Sequence, residues 1–149
     1  MRTVVQRVSR AKVTVDGEIT GEIDHGLLIL LGVSTKDVEA DADYLLDKIV
    51  NLRIFEGADG KMNLSLADSG GDMLVVSQFT LYGDTRRGRR PSFVEAAPGK
   101  DAVCFYEYFV EQARQMVTKV ETGRFGAMMD VELINDGPVT IILDSEKTI

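Results

Sequence analysis

Histidine and cysteine are almost missing from this chain of 149 residues, which has one of each, His25 and Cys104, and no tryptophan. A single cysteine excludes an intrachain disulfide and fits a reducing compartment. A Ser-His-Asp hydrolase needs an imidazole beside its nucleophile. His25 stands in the turn Asp24-His25-Gly26 between two expected strands and reads as a surface turn residue. Cys104 falls inside an expected helix and reads as a core thiol rather than a nucleophile. No zinc motif of usual spacing can be built from one His and one Cys. The carboxylates form no recognisable metal arrangement, and the phosphate loop Gly-x-x-x-x-Gly-Lys-Ser/Thr is absent. Neither a metal nor a cofactor is expected. No stretch approaches the roughly 20 apolar residues that span a bilayer. The start, Met1 to Arg7, lacks the apolar segment of a signal peptide. A cytoplasmic protein without a membrane partner is the expectation.

Positive charge is also scarce. Against 24 acids stand 17 lysines and arginines, for a net charge of −7. That balance argues against broad nucleic-acid binding, and no DNA partner is expected. The distribution is uneven, however. Thr85-Arg86-Arg87-Gly88-Arg89-Arg90-Pro91 has four arginines and no acid, whereas Asp37 to Asp43 is rich in acids. The Arg86–Arg90 loop could grip a few phosphates. It could equally be a solvated loop, or one whose arginines pair with acids of the same protein.

What is present is an ordinary globular composition, 44% hydrophobic and 28% charged, at a length that suits one domain over residues 1–149. Valines at 4, 8, 13 and 15 mark β-structure, and Asp16-Gly17 signals a hairpin to Glu18–Ile23. Leu27–Val33 is a continuous apolar run, read as a fully buried strand. Val38, Ala42, Leu45, Leu46 and Ile49 follow helical spacing, with Asp37 as a possible cap. Arg53–Phe55 and Asn63–Leu66 read as short strands, and Met73–Leu81 as a buried strand with a polar end. Lys100 to Lys119 carries an apolar stripe of Val103, Tyr106, Phe109, Val110, Ala113 and Val117. Met128–Ile134 and Val139–Leu143 read as a last pair of strands joined by a loop, with residues 143–149 a short C-terminal tail. About seven or eight strands with two main helices predict an α+β domain. Its mixed sheet should be curled or barrel-like, with the helices packed outside.

Two segments could carry chemistry. At Ser77-Gln78-Phe79-Thr80 a strand turns polar at its end, which can expose hydroxyls and backbone amides at a pocket mouth. The N–H groups of Phe79 and Thr80 could form an oxyanion hole for acyl transfer. An exposed strand of alternating residues explains the segment as well. In Asn135-Asp136-Gly137-Pro138-Val139-Thr140, a Gly precedes a Pro that lacks an N–H. The pair can aim carbonyl oxygens in an unusual direction with no side chain in the way. A plain loop-to-strand turn explains it too, with Asp136 as a turn-former.

At these two segments the sequence resembles the D-aminoacyl-tRNA deacylase family. Ser77-Gln78-Phe79-Thr80 looks like one of its signature motifs, and Asn135–Thr140 looks like the other, which holds the family's Gly-cisPro dipeptide. Gln6-Arg7-Val8, Gly60–Leu64, Arg90–Phe93 and Thr122–Phe125 are similar as well, so the resemblance runs from about Met1 to Leu143. It implies a homodimer with active sites at the subunit interface. Each Gly137-Pro138 would reach into the partner's pocket. It implies hydrolysis of the ester between a D-amino acid and the 3′-terminal adenosine of tRNA, and of glycine wrongly attached to alanine tRNA. It also implies that the substrate's ribose 2′-hydroxyl assists. Arg7 would hold the Gly-Pro loop, and Phe125 would stack on the terminal adenine. Thr80 is either a nucleophile or a donor of its backbone N–H alone. The alternative is a non-catalytic nucleic-acid-binding module, with the arginine loop as its main feature.

Overall fold

The valine alternation at the N-terminus becomes one long strand, on which the rest of the chain is assembled. In the computed structural model, which describes residues 1–149, the order is β1 (Arg2–Val15), β2 (Glu18–Ile23), β3 (Gly26–Gly32), α1 (Glu39–Asn51), β4 (Phe55–Glu56), β5 (Met62–Leu64) and α2 (Leu66–Ser69). Then follow β6 (Asp72–Ser77), a 3₁₀ turn (Phe79–Tyr82), α3 (Gly99–Met116), β7 (Val120–Thr122) and β8 (Asp130–Asp144). β1 pairs antiparallel with β3 and β2 along one edge and with β8 along the other. β3, β6 and β7 continue the sheet in parallel. Asp16 and Gly17 both take positive φ, 50° and 80°, as the two-residue hairpin between β1 and β2 requires.

The sheet curls as expected, and close backbone approaches mark where. A Cβ on Gly21 of β2 would lie 2.4 Å from the carbonyl oxygen of Thr122 on β7, so the two ends of the sheet nearly meet. A Cβ on Gly26 would lie 2.0 Å from the Asp72 carbonyl oxygen, where β3 and β6 begin their parallel pairing. The curl explains why β3 is apolar throughout. Leu27, Ile29 and Leu31 face the larger core under α1 (Leu45, Leu46, Ile49) and α3 (Tyr106, Phe109, Ala113). Leu28 faces the other way, into a second core with Val8, Val13, Ile23, Leu74 and Val76. Both faces are thus dry, and alternation is lost.

Several elements differ from the sequence reading. Asp37 does not cap α1. The N-cap residue is Val38, whose N–H donates to the Asp41 carboxylate at 2.8 Å. Asp37 is instead buried against the Met1 ammonium, and it also accepts the Ser34 N–H at 2.7 Å. A full positive charge is a stronger partner for a buried carboxylate than a helix end. Cys104 is exposed, because it lies on the face of α3 opposite the buried stripe of Ala102, Tyr106, Phe109, Val110 and Ala113. The edge strand read over Asn63–Leu66 stops at Leu64, where Ser65 and Asp68 form the reciprocal capping pair of α2. Finally, β8 is one strand running through the Asn-Asp-Gly-Pro segment rather than two strands joined by a loop. It extends to Asp144, and Ser145 then bonds Met1 through both its N–H and its hydroxyl, so the start of the expected tail is docked. No helix is long and apolar enough to cross a membrane.

Candidate active site

The strand end at Ser77 is followed by a helical turn, not by more strand. Gln78 donates its backbone N–H to the Leu31 carbonyl at 2.8 Å, the last bond that ties this segment to β3. Phe79–Tyr82 then winds into the 3₁₀ turn, closed by Leu81 N–H to the Gln78 carbonyl and Gly83 N–H to the Thr80 carbonyl. The first N–H groups of any helical turn lack an internal acceptor. Here those groups belong to Phe79 and Thr80, and neither finds an acceptor elsewhere in the chain. Both residues are exposed. Two neighbouring, unpaired donors at the surface can bind an oxyanion. The Gln78 side-chain amide donates to the Thr80 hydroxyl. No histidine or carboxylate bonds that hydroxyl. Phe79 is held edge-on by Phe93, with ring centroids 5.0 Å apart.

The second segment is a wide bulge in β8. On β1, Gln6 faces Thr140 and Val8 faces Asn135, so Arg7 alone opposes Asp136–Val139. The Gly137-Pro138 peptide bond is cis, Gly137 has φ 120°, and both residues are exposed. The bulge is anchored from below. Arg7 is buried, and its Nη1 donates to the Ile54 carbonyl at 2.6 Å. Its Nε reaches both the Asp136 carbonyl and the Asp136 carboxylate at 3.3 Å. Arg7 therefore holds the carbonyl just before Gly137, not those of Gly137 and Pro138. Asn135 closes the base of the bulge. Its side-chain amide donates to the carbonyls of Arg7 and Val139, each at 3.0 Å. Its oxygen accepts the Thr140 hydroxyl at 3.3 Å.

Asn135, Ile54 and Phe93 are the supporting residues that the sequence reading missed. Asn135 opens the Asn135–Thr140 segment, and its amide, which donates and accepts, is the available signal. Phe125 is half-buried, packed against the larger core and tilted against Tyr106 at 5.6 Å. Beneath it, the Tyr106 hydroxyl donates to the Val75 carbonyl at 2.8 Å, and burial pushes its phenol up to about 12.

The two segments do not meet within one chain. Ser77 pairs with Leu31, which pairs with Thr3, whereas the bulge lies over Arg7, opposite Leu27. Four residues along the strands and three strand steps across separate them, roughly 15–20 Å.

A family model described as D-Tyr-tRNA(Tyr) deacylase matches residues 4–144. The chain belongs to this family. A D-aminoacyl-tRNA deacylase of Koribacter versatilis is 63% identical over 147 residues, 99% of each chain. One of Geobacillus sp. (strain WCH70) is 60% identical over 147 residues, covering 99% of this chain and 97% of its own. Among solved structures, a c-Myc DNA unwinding element binding protein superposes with a TM-score of 0.92 at 44% identity, over 97% of this deacylase-family chain and 98% of its own. A probable eukaryotic D-amino acid tRNA deacylase shares the fold, with a TM-score of 0.79 at 16% identity, over 95% and 97% of the two chains.

Proposed function

We propose that this chain hydrolyses the ester of D-aminoacyl-tRNA, releasing free tRNA and the D-amino acid, and that it removes glycine from alanine tRNA in the same way. Membership of the deacylase family supports this reading, and the observation that carries it is the pair of exposed, unpaired N–H groups at Phe79 and Thr80. Water attacks the ester carbonyl carbon, and the oxyanion that forms is held by those two donors. The bond to the ribose 3′-oxygen then breaks. The water's proton passes through the neighbouring 2′-hydroxyl to that leaving oxygen. An aminoacyl ester is activated enough for this route, so the enzyme mainly positions it.

Selectivity comes from the Gly137-Pro138 carbonyls, which receive the substrate's amino group. A D side chain then points away from them, whereas an L side chain is driven into the backbone. Glycine has no side chain to reject. Because the two segments lie apart in one chain, the gate over each Phe79–Thr80 segment comes from the second subunit of a homodimer. The exposure of Gly137 and Pro138 agrees with that role, as does β8, which pairs on one edge only and exposes Ile134 and Ile142. Arg7 fixes the gate from below, and the half-buried Phe125 stacks on the terminal adenine.

The Thr80 hydroxyl, bonded only by Gln78, serves no nucleophilic role in this scheme. Thr80→Ala should therefore keep single-turnover deacylation within about threefold of the parent, equivalent to roughly 0.6 kcal/mol in the barrier. A loss of a hundredfold or more would instead make Thr80 the nucleophile. The reading as a whole is tested by release of D-tyrosine from D-Tyr-tRNA. Salt-dependent tRNA binding without any ester cleavage would favour the non-catalytic module, whose supporting feature is the arginine loop.

A further inference from the structure

The loop from Thr85 to Pro91 is built as a projection from the Phe79–Thr80 segment. Asp84 and Ser92 exchange two backbone hydrogen bonds, 2.7 and 2.9 Å, that close its base. The base is fixed to the candidate site twice, by the Phe79–Phe93 ring contact and by Gly83 N–H to the Thr80 carbonyl. Gly88, at φ 69° with open space around it, turns the tip.

The four arginines are not equivalent. Arg86 is spent internally. Its Nε and Nη2 grip the two Asp84 carboxylate oxygens at 2.9 and 2.7 Å, and its N–H bonds the same carboxylate. The Arg86 guanidinium holds the Asp84 carboxyl down to about 2. Behind the loop, Arg2 and Arg86 share a groove with Asp84, Glu95 and Glu146, so that side is not cationic. Arg87, Arg89 and Arg90 differ. All are exposed, and none makes an ion pair or a hydrogen bond through its side chain. They are three uncompensated cations on a protein of net charge −7.

We propose that Arg87, Arg89 and Arg90 bind backbone phosphates of the tRNA acceptor stem while the 3′-terminal ester lies at Phe79–Thr80. The inference rests on the deacylase reading of that site. Exposed guanidiniums on a turn fit phosphates and carry no base sequence, so they fix the position of the stem on the enzyme. The acidic remainder of the surface repels RNA elsewhere, which confines the contact to this side of the site.

The test compares the parent with the triple variant Arg87→Ala/Arg89→Ala/Arg90→Ala and with the corresponding triple lysine variant. Substrates are D-Tyr-tRNA and the small ester 3′-D-tyrosyl-adenosine. Binding of uncharged tRNA is titrated in parallel over about 50 to 200 mM salt. For the alanine variant, KM for D-Tyr-tRNA should rise by about tenfold or more. The slope of log affinity against log salt should shrink by about two to three. kcat and all rates on the small ester should stay at the parent's values, and the lysine variant should recover most of the affinity. An unchanged KM and salt slope would overturn the proposal. So would equal losses on tRNA and the small ester, which would place the arginines in shaping the turn. Polyglutamate competing as well as RNA would overturn the choice of partner. If the parent cleaves neither substrate, the deacylase reading falls, and the salt slope of tRNA binding still decides for or against the loop.

Discussion

Gly137→Ala is expected to lower the deacylation of D-Tyr-tRNA by about a hundredfold or more, the usual scale for misplacing a site by about 1 Å. Gly137 holds φ 120°, a conformation that side chains other than hydrogen rarely adopt. A Cβ there would lie 2.9 Å from Arg7 Nη2 and 2.9 Å from Val139 Cγ2. Neither neighbour can yield freely. The Arg7 guanidinium is held by the Ile54 and Asp136 carbonyls, and Val139 leads back into the β1 pairing. The bulge must therefore move, and its carbonyls with it. Single-turnover rates separate this from a folding defect when the variant's urea midpoint is measured on the same preparation. A variant that stays folded, cleaves D-Tyr-tRNA at the parent's rate and still spares L-Tyr-tRNA would contradict the gate.

The largest effect on stability is expected at Asp37. Asp37→Ala would leave the Met1 ammonium, fully buried, without its carboxylate, and would also orphan the Ser34 N–H. Breaking one side of a buried pair typically costs about 3–5 kcal/mol, against total stabilities of about 5–15 kcal/mol. The urea midpoint should fall accordingly with an unchanged m-value. Asp41→Ala, which removes the partially exposed capping partner of Val38, should cost about 1 kcal/mol. Equal losses in the two variants would show that the ammonium contact is not the stabilising one.

Features set by local pattern were legible in the sequence. The Asp16-Gly17 hairpin, the apolar run of β3 and the stripe of α3 each follow from periodicity or turn chemistry within a dozen residues. Membership of the family was legible as well, through motifs spread along the chain, and the curled sheet through the many strands set against two main helices. What failed depended on partners distant in sequence. Asp37 looked like a cap because nothing local shows that Met1 lies beside it, 36 residues away in the chain. Cys104 was read as buried from its residue type alone, although the phase of the α3 stripe puts it on the opposite, exposed face. The Asn135–Thr140 segment looked like a turn because Gly-Pro punctuates turns locally. Pairing with β1 on both sides of the bulge carries the strand through it. The anchoring carbonyl of Ile54 could not be read at all, since a backbone acceptor leaves no mark in the sequence.

The central claim is chiral selection of an aminoacyl ester by exposed backbone. Its most direct test is the ratio of single-turnover deacylation rates on matched D-Tyr-tRNA and L-Tyr-tRNA with the unmodified protein. The D ester should be cleaved at least about a thousandfold faster, equivalent to roughly 4 kcal/mol of discrimination. Comparable rates on the two esters, or faster cleavage of the L ester, would contradict it.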